Sequence, residues 1–178
     1  MTDGIPLGLA IYSAFAELLK FVVKEDFVGA CHDTSAVLHM LLAENNVPSE
    51  LCIGEVGVGS RYFDHSWVEV LGSVFDVAVC MPDYAGEPVG GPVFDGIDLA
   101  QGRPSELVYG AESGEGLGLA AQPALSLDLE GFAAIQPQLN IWVLAVAIAG
   151  RAGMANPTFT HFQLRYGAVR RRFRKNPT

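Results

Sequence analysis

Three residues of this 178-residue chain carry side chains suited to acyl chemistry and stand where such side chains are uncommon: Cys31, His65 and Asp76. Cys31 directly precedes DTSAVLHMLLAENN at 33–46, where Val37, Leu38, Met40, Leu41 and Leu42 recur at helical spacing. A cysteine at a helix start meets unpaired N–H groups and the positive end of the helix, which favour the thiolate. The competing reading is a small buried cysteine packed against a sheet. His65 stands in YFDHSWVEV at 62–70, where alternation puts it on one face with Trp67 and Glu69, opposite Ser66, Val68 and Val70. An imidazole facing the helix start would take the Cys31 proton and return it to a leaving group; alone, it would read as a satisfied structural histidine. Asp76 is a charge inside the apolar run SVFDVAV at 73–79, and a buried carboxylate needs a partner. Accepting the far imidazole N–H would orient the ring and complete a cysteine, histidine, aspartate arrangement. Capping a turn, or pairing with Arg61 or Arg103, are the alternatives for Asp76. Asp33 reads as a helix N-cap or first-turn charge, and His32 as a site-rim or structural histidine.

These residues need elements to position them. PLGLAIYSAFAELLKFVV at 6–23 has the spacing of a core-packed helix, and a second helix begins beside Cys31. NNVPSE at 45–50 supplies a turn, after which the period shortens to two in LCIGEVGV at 51–58, then in the His65 and Asp76 segments. Three neighbouring antiparallel strands are expected, over 51–58, 62–70 and 73–79. The short join LGS at 71–73 makes a hairpin that sets the His65 strand beside the Asp76 strand. Residues 82–118 mix four prolines with nine glycines and hold no period, so ordered loops around the site are expected there. Residues 126–135 read as a short strand or helix, 139–149 as an internal element, and 159–173 as a late amphipathic one. The fold class is therefore α+β, with helices preceding an antiparallel sheet and the nucleophile at the helix–sheet junction.

Half of the residues are apolar, which suits one soluble globular domain over residues 1–164, followed by a basic segment, 165–178, that packs on it or stands apart. Residues 1–150 hold all 20 acidic residues and four basic ones, a net −16, whereas residues 151–178 hold seven basic and no acidic residues. An acidic body repels a phosphate backbone, so nucleic-acid binding is disfavoured, and the basic tail is the part suited to an acidic partner. IWVLAVAIAG at 141–150 is well short of the roughly 20 residues of a membrane span. The start of the chain lacks the pattern of a signal peptide, and three cysteines make an odd set without metal-ligand spacing. The expectation is a cytoplasmic protein with no disulfide framework, no metal and no cofactor; HExxH, CxxC and phosphate-loop patterns are absent.

GACHDTSAVLHMLLAENNVPSELCIGEV, DHSWVEV and SVFDVAV together resemble the catalytic core of the transglutaminase-like superfamily, with its papain-like arrangement, over about residues 27–80. The order of a cysteine at a helix start, a proline-bearing turn, a strand, a histidine followed two residues later by tryptophan, and an aspartate on the next strand falls on Cys31, Pro48, His65, Trp67 and Asp76. The resemblance implies acyl transfer through a thioester, or amide or peptide hydrolysis, on a peptide or protein substrate. Members also include inactive relatives, so the alternative is a non-catalytic binding or assembly module on the same fold. By the same likeness Trp67 forms a wall over the imidazole or an acyl tunnel, unless it packs the core. Tyr62 and Tyr84 become pocket or oxyanion groups. Papain-like sites often take a second oxyanion donor from an upstream Gln; no Gln precedes Gln101 here, so that donor is unassigned.

Overall fold

Helix α1, Leu7–Lys24, buries Ala10, Ile11, Ala14, Phe15, Leu18 and Val22, a stripe three and four residues apart that faces the core. Helix α2, Cys31–Glu44, is buried nearly all round, which is why its apolar face reads so broadly. It starts just after Gly29, whose φ of 70° lets the chain reverse out of α1, and it ends in a turn through Asn46 at φ 57°. The computed structural model describes residues 7–81, 88–136 and 139–176.

Strands β1 (Glu50–Val58), β2 (Arg61–Val70) and β3 (Ser73–Phe75) follow as an antiparallel meander. Leu71 at φ 52° and Gly72 at φ 84° form a two-residue turn of the kind that matches strand twist. Next come β4 (Val93–Phe94), β5 (Ile97–Asp98), β6 (Arg103–Pro104) and β7 (Val108–Ala111). Helices α3 (Gln122–Ser126), α4 (Leu129–Ile135), α5 (Ile141–Arg151) and α6 (Phe159–Tyr166) precede β8 (Arg172–Phe173). The main sheet runs β3-β2-β1-β7, with β8 parallel to β1 beside β7, while β4, β5 and β6 make a small second sheet.

Both faces of the main sheet are covered. On one, Leu51, Val68, Val70 and Phe75 meet α1, α2, α5 and α6 in the main core. On the other, Cys52, Val56 and Trp67 pack against Val79, Val93 and Leu107. A third cluster of Ile53, Ala121, Ala124 and Phe132 joins β1 to α3 and α4. Double coverage explains the apolar run in β1, buried over its seven interior positions.

The α+β architecture, the helix starting at Cys31 and the antiparallel sheet agree with the reading of the sequence. Three elements differ. The third strand stops at Phe75, because Asp76 exchanges both backbone hydrogen bonds with Val93 at 2.8 Å while its carboxylate bonds the amides of Ala78 and Val79 and turns the chain away. Residues 159–173 are not one element: Gly167 and Val169 give their carbonyls to the Glu130 and Leu129 amides, which ends α6 and sends the chain to β8. Within the stretch expected to be loops, the described residues include four short strands, and β7 joins the main sheet. Residues 126–135 and 139–149 resolve as α4 and α5, capped by Asp128 and Asn140. Among the described residues, no helix is long and apolar enough to cross a membrane.

Candidate functional site

Asp76 sits just past the end of β3, 3% exposed, with both carboxylate oxygens hydrogen-bonded. Its Oδ1 accepts the Ala78 and Val79 amides at 3.0 and 3.2 Å. Its Oδ2 lies 2.7 Å from His65 Nε2 and accepts the Tyr109 hydroxyl at 2.8 Å. Four donors replace the water lost on burial, the condition under which a buried anion is tolerated. Turn capping and imidazole binding, alternatives in the sequence, are thus both made by the same side chain.

His65 is 5% exposed on the β2 face that also carries Trp67. Burial opposes its protonation, but the charges of Asp76 and then Cys31, with the Asp76 hydrogen bond, push its pKa up to about 10. With Nε2 committed to Asp76, Nδ1 is the remaining ring nitrogen. Phe63 meets the ring edge to face at 5.6 Å and helps fix its plane.

Cys31 opens α2, and no side chain caps that helix. The residue keeps partial solvent contact, although burial of its thiol works against ionisation. The charges of the His32 and His65 imidazoles outweigh that burial and hold Cys31 well below the ordinary thiol range. The other two cysteines go the opposite way: burial pushes Cys52 up to about 12 and Cys80 up to about 11, helped by Glu69 and Asp76 respectively.

His32 is tied to the sheet by a 2.7 Å contact between Nδ1 and Ser66 Oγ. Ser66, Asp64 and Tyr62 alternate along one face of β2. That face leads into a cleft of about 510 Å³ lined by Glu55, Tyr62, Phe63, Asp64, Ser113, Glu115, Gly116 and Gly118. Glu55 lies opposite Asp64 across β1 and β2 and accepts both the amide and the hydroxyl of Ser113; Asp64 accepts the Gly118 amide at 2.8 Å. The cleft is therefore acidic, and neither Cys31 nor His65 lines it.

Of the aromatic residues singled out in the sequence, Tyr62 is 48% exposed at this cleft. Trp67 is 1% exposed within the second core cluster, donating to Glu69 at 3.0 Å and packing on Tyr109 at 5.0 Å. Tyr84 lies outside the described residues. Two residues near the centre were not anticipated. Tyr109 comes from the glycine-rich stretch, 33 positions after Asp76. Arg171 comes from the basic tail and reaches the His32 carbonyl at 2.8 Å. A tyrosine preceding a glycine in an unpatterned stretch carries no signal, and Arg171 is hidden among RRR.

The tail's other charges meet the chain's own acids. Arg172 pairs with Glu50 at 2.6 Å, Arg174 with Glu50 and Glu69, and Lys175 with Glu112 at 3.1 Å. Glu50, Cys52 and Glu69 come close enough for metal ligation, but the Arg174 guanidinium already bonds both of those carboxylates. Compared with known proteins, the chain matches no family model, no curated protein and no solved structure.

Proposed function

We propose that this protein is a thiol-dependent acyltransferase or amidohydrolase of transglutaminase-like type, acting through a Cys31 thioester. The observation that carries the reading is the buried 2.7 Å His65–Asp76 contact, which orients an imidazole whose charge, with that of His32, lowers the Cys31 thiol. Cys31 Sγ attacks an amide carbonyl carbon. The C–N bond breaks, and the leaving amine takes a proton from His65. Water or a second amine then attacks the thioester carbon, gives its proton to His65, and expels Cys31 as thiolate. Asp76 accepts from Nε2 throughout, so that Nδ1 does the proton transfer. The backbone N–H of Cys31, in an uncapped first turn, is the first donor to the developing oxyanion. Glu55, Asp64 and Glu115 at the nearby cleft favour neutral or cationic peptide segments over acidic ones.

The test is competitive labelling with a broad electrophilic thiol probe, read by peptide mass spectrometry. Cys31 should be alkylated at least tenfold faster than Cys52 or Cys80 at pH 7, since an ordinary thiol is only a few per cent ionised there. His65→Ala should abolish that preference. Equal labelling of all three cysteines, unchanged by His65→Ala, would remove the nucleophile. Release of free acid or an amine adduct from candidate peptides, lost in Cys31→Ala, separates catalysis from binding on an inactive fold.

A further inference from the structure

Arg171 and Asp33 are the two charged groups beside Cys31 that the proposed chemistry leaves unused. Arg171 is 5% exposed, and its guanidinium is built into the fold on three sides. Nη2 donates to the His32 carbonyl at 2.8 Å, Nη1 donates to the Ala124 carbonyl at 3.2 Å, and the group lies 4.4 Å over the Phe132 ring. Its Nε, sealed from solvent, has no hydrogen-bond partner among the described residues. Asp33, on the first turn of α2 two residues from Cys31, is 9% exposed, and its Oδ1 is likewise sealed and without a partner among them. Buried polar atoms without partners are uncommon and costly, so one of each sign in the same small region calls for an electrostatic account.

We propose that Arg171 and Asp33 are positioning residues for the Cys31 centre, two buried charges of opposite sign beside it: Arg171 clamps the first turn of α2 through the His32 carbonyl and favours the thiolate, while Asp33 opposes it. This rests on the reading of Cys31 as the nucleophile. The groups facing Cys31 are His32 and Asp33 from its own helix, His65 from β2 and Arg171 from the C-terminal segment. Burial draws Arg171 down to about 10, against the charges of Asp33 and Cys31, which hold it up. Opposite charges favour each other's charged forms, so a guanidinium bonded to the His32 carbonyl beside Cys31 favours the thiolate in turn. Asp33 is pushed up to about 6 by burial and then by the Cys31 charge, with His32 and Arg171 opposing.

The experiment is the pH profile of Cys31 alkylation by iodoacetamide, measured on the full chain with folding checked by circular dichroism. Arg171→Gln should raise the midpoint by about one pH unit or more and slow labelling about tenfold at pH values below the wild-type midpoint, as loss of a neighbouring opposite charge predicts. A structural clamp without the charge role would leave the midpoint of a folded variant in place, and that result overturns the pair. If Arg171→Gln does not fold, carbon-13 NMR of the Asp33 carboxyl decides. Cys31→Ala must then lower its midpoint below the wild-type value, and an unchanged midpoint overturns the coupling. A wild-type Cys31 midpoint in the ordinary thiol range, with Arg171→Gln still raising it, would count against the proposed function alone. A lowered wild-type midpoint that Arg171→Gln leaves in place would count against this pair alone.

Discussion

Asp76 and Asp33 are both buried carboxylates, one against His65 and the other on the first turn of the Cys31 helix, yet their surroundings differ in kind. Asp76 receives four hydrogen bonds from three parts of the chain, whereas one Asp33 oxygen meets no donor among the described residues. The first is a fixed anion that holds an imidazole in its charged form. The second is costly to ionise, because burial and the thiolate both push against its charge. The contrast teaches that burial raises the cost of a charge and that donors aimed at the group offset that cost.

The sharpest way to break the contrast is to remove the well-partnered charge. Asp76→Asn leaves His65 buried without its anion, and should lower stability by about 3–5 kcal/mol in a denaturant titration. Cys31 labelling at pH 7 should fall with it. The pH dependence follows from His65, whose folded pKa is raised from 6.5 to about 10. Its stabilisation is fully present below 6.5 and is lost as pH rises through 10, so melting temperatures of the wild type should drop between roughly pH 8 and 10 more steeply than those of His65→Gln. A loss under about 1 kcal/mol for Asp76→Asn would make the two carboxylates equivalent.

Asp33→Asn should act in the opposite direction. An acid whose folded pKa is raised from 3.8 to about 6 binds its proton more tightly in the folded state. Wild-type stability therefore declines as pH rises from about 4 to about 6 and stays reduced above that. The Asn variant should match the wild type near pH 4 and exceed it by roughly 2 kcal/mol at pH 7, after discounting incomplete burial. Thermal or chemical unfolding at the two pH values checks this, and a variant less stable at pH 7 would reverse the assignment. The smallest effect belongs to Tyr109→Phe, which removes one of four donors to Asp76. It should cost about 1 kcal/mol and leave the His65 titration, followed by NMR, above pH 8.

Cys31, His65 and Asp76 are legible in the sequence for one physical reason: each interrupts or begins a segment whose periodicity is strong, so its position on an element is determined. The pairing of His65 with Asp76 depends on the hairpin through Leu71 and Gly72, whose length fixes the strand neighbours. Beyond Phe75 the period fails as a guide. Asp76 is placed by a backbone bridge to Val93, 17 positions on, and that bridge rests in turn on a loop organised by Asp98. Asp98 accepts the Gly91, Ala100 and Gln101 amides, contacts that leave no repeat in the residue types. Gly91 belongs there because a Cβ would fall 2.4 Å from the Asp98 carboxylate. Tyr109 and Arg171 were illegible for the same reason, being long-range partners in segments without a period. The net charges of body and tail showed an imbalance, but not that the tail's cations meet the chain's own Glu50, Glu69 and Glu112.

The contact between Arg171 and the His32 carbonyl spans 139 positions, and β8 must lie along β1 to make it. A chain made from its N-terminus exposes α1, α2 and the first hairpin long before residue 171 exists. During synthesis the cysteine is present with its helix and its imidazole, but the guanidinium that balances its charge has yet to be added. Closure of so long a loop is also among the later steps when a finished chain refolds. Assembly of the thiol centre therefore waits for residue 171, and a chain that has not reached it carries a cysteine without its final electrostatic surroundings.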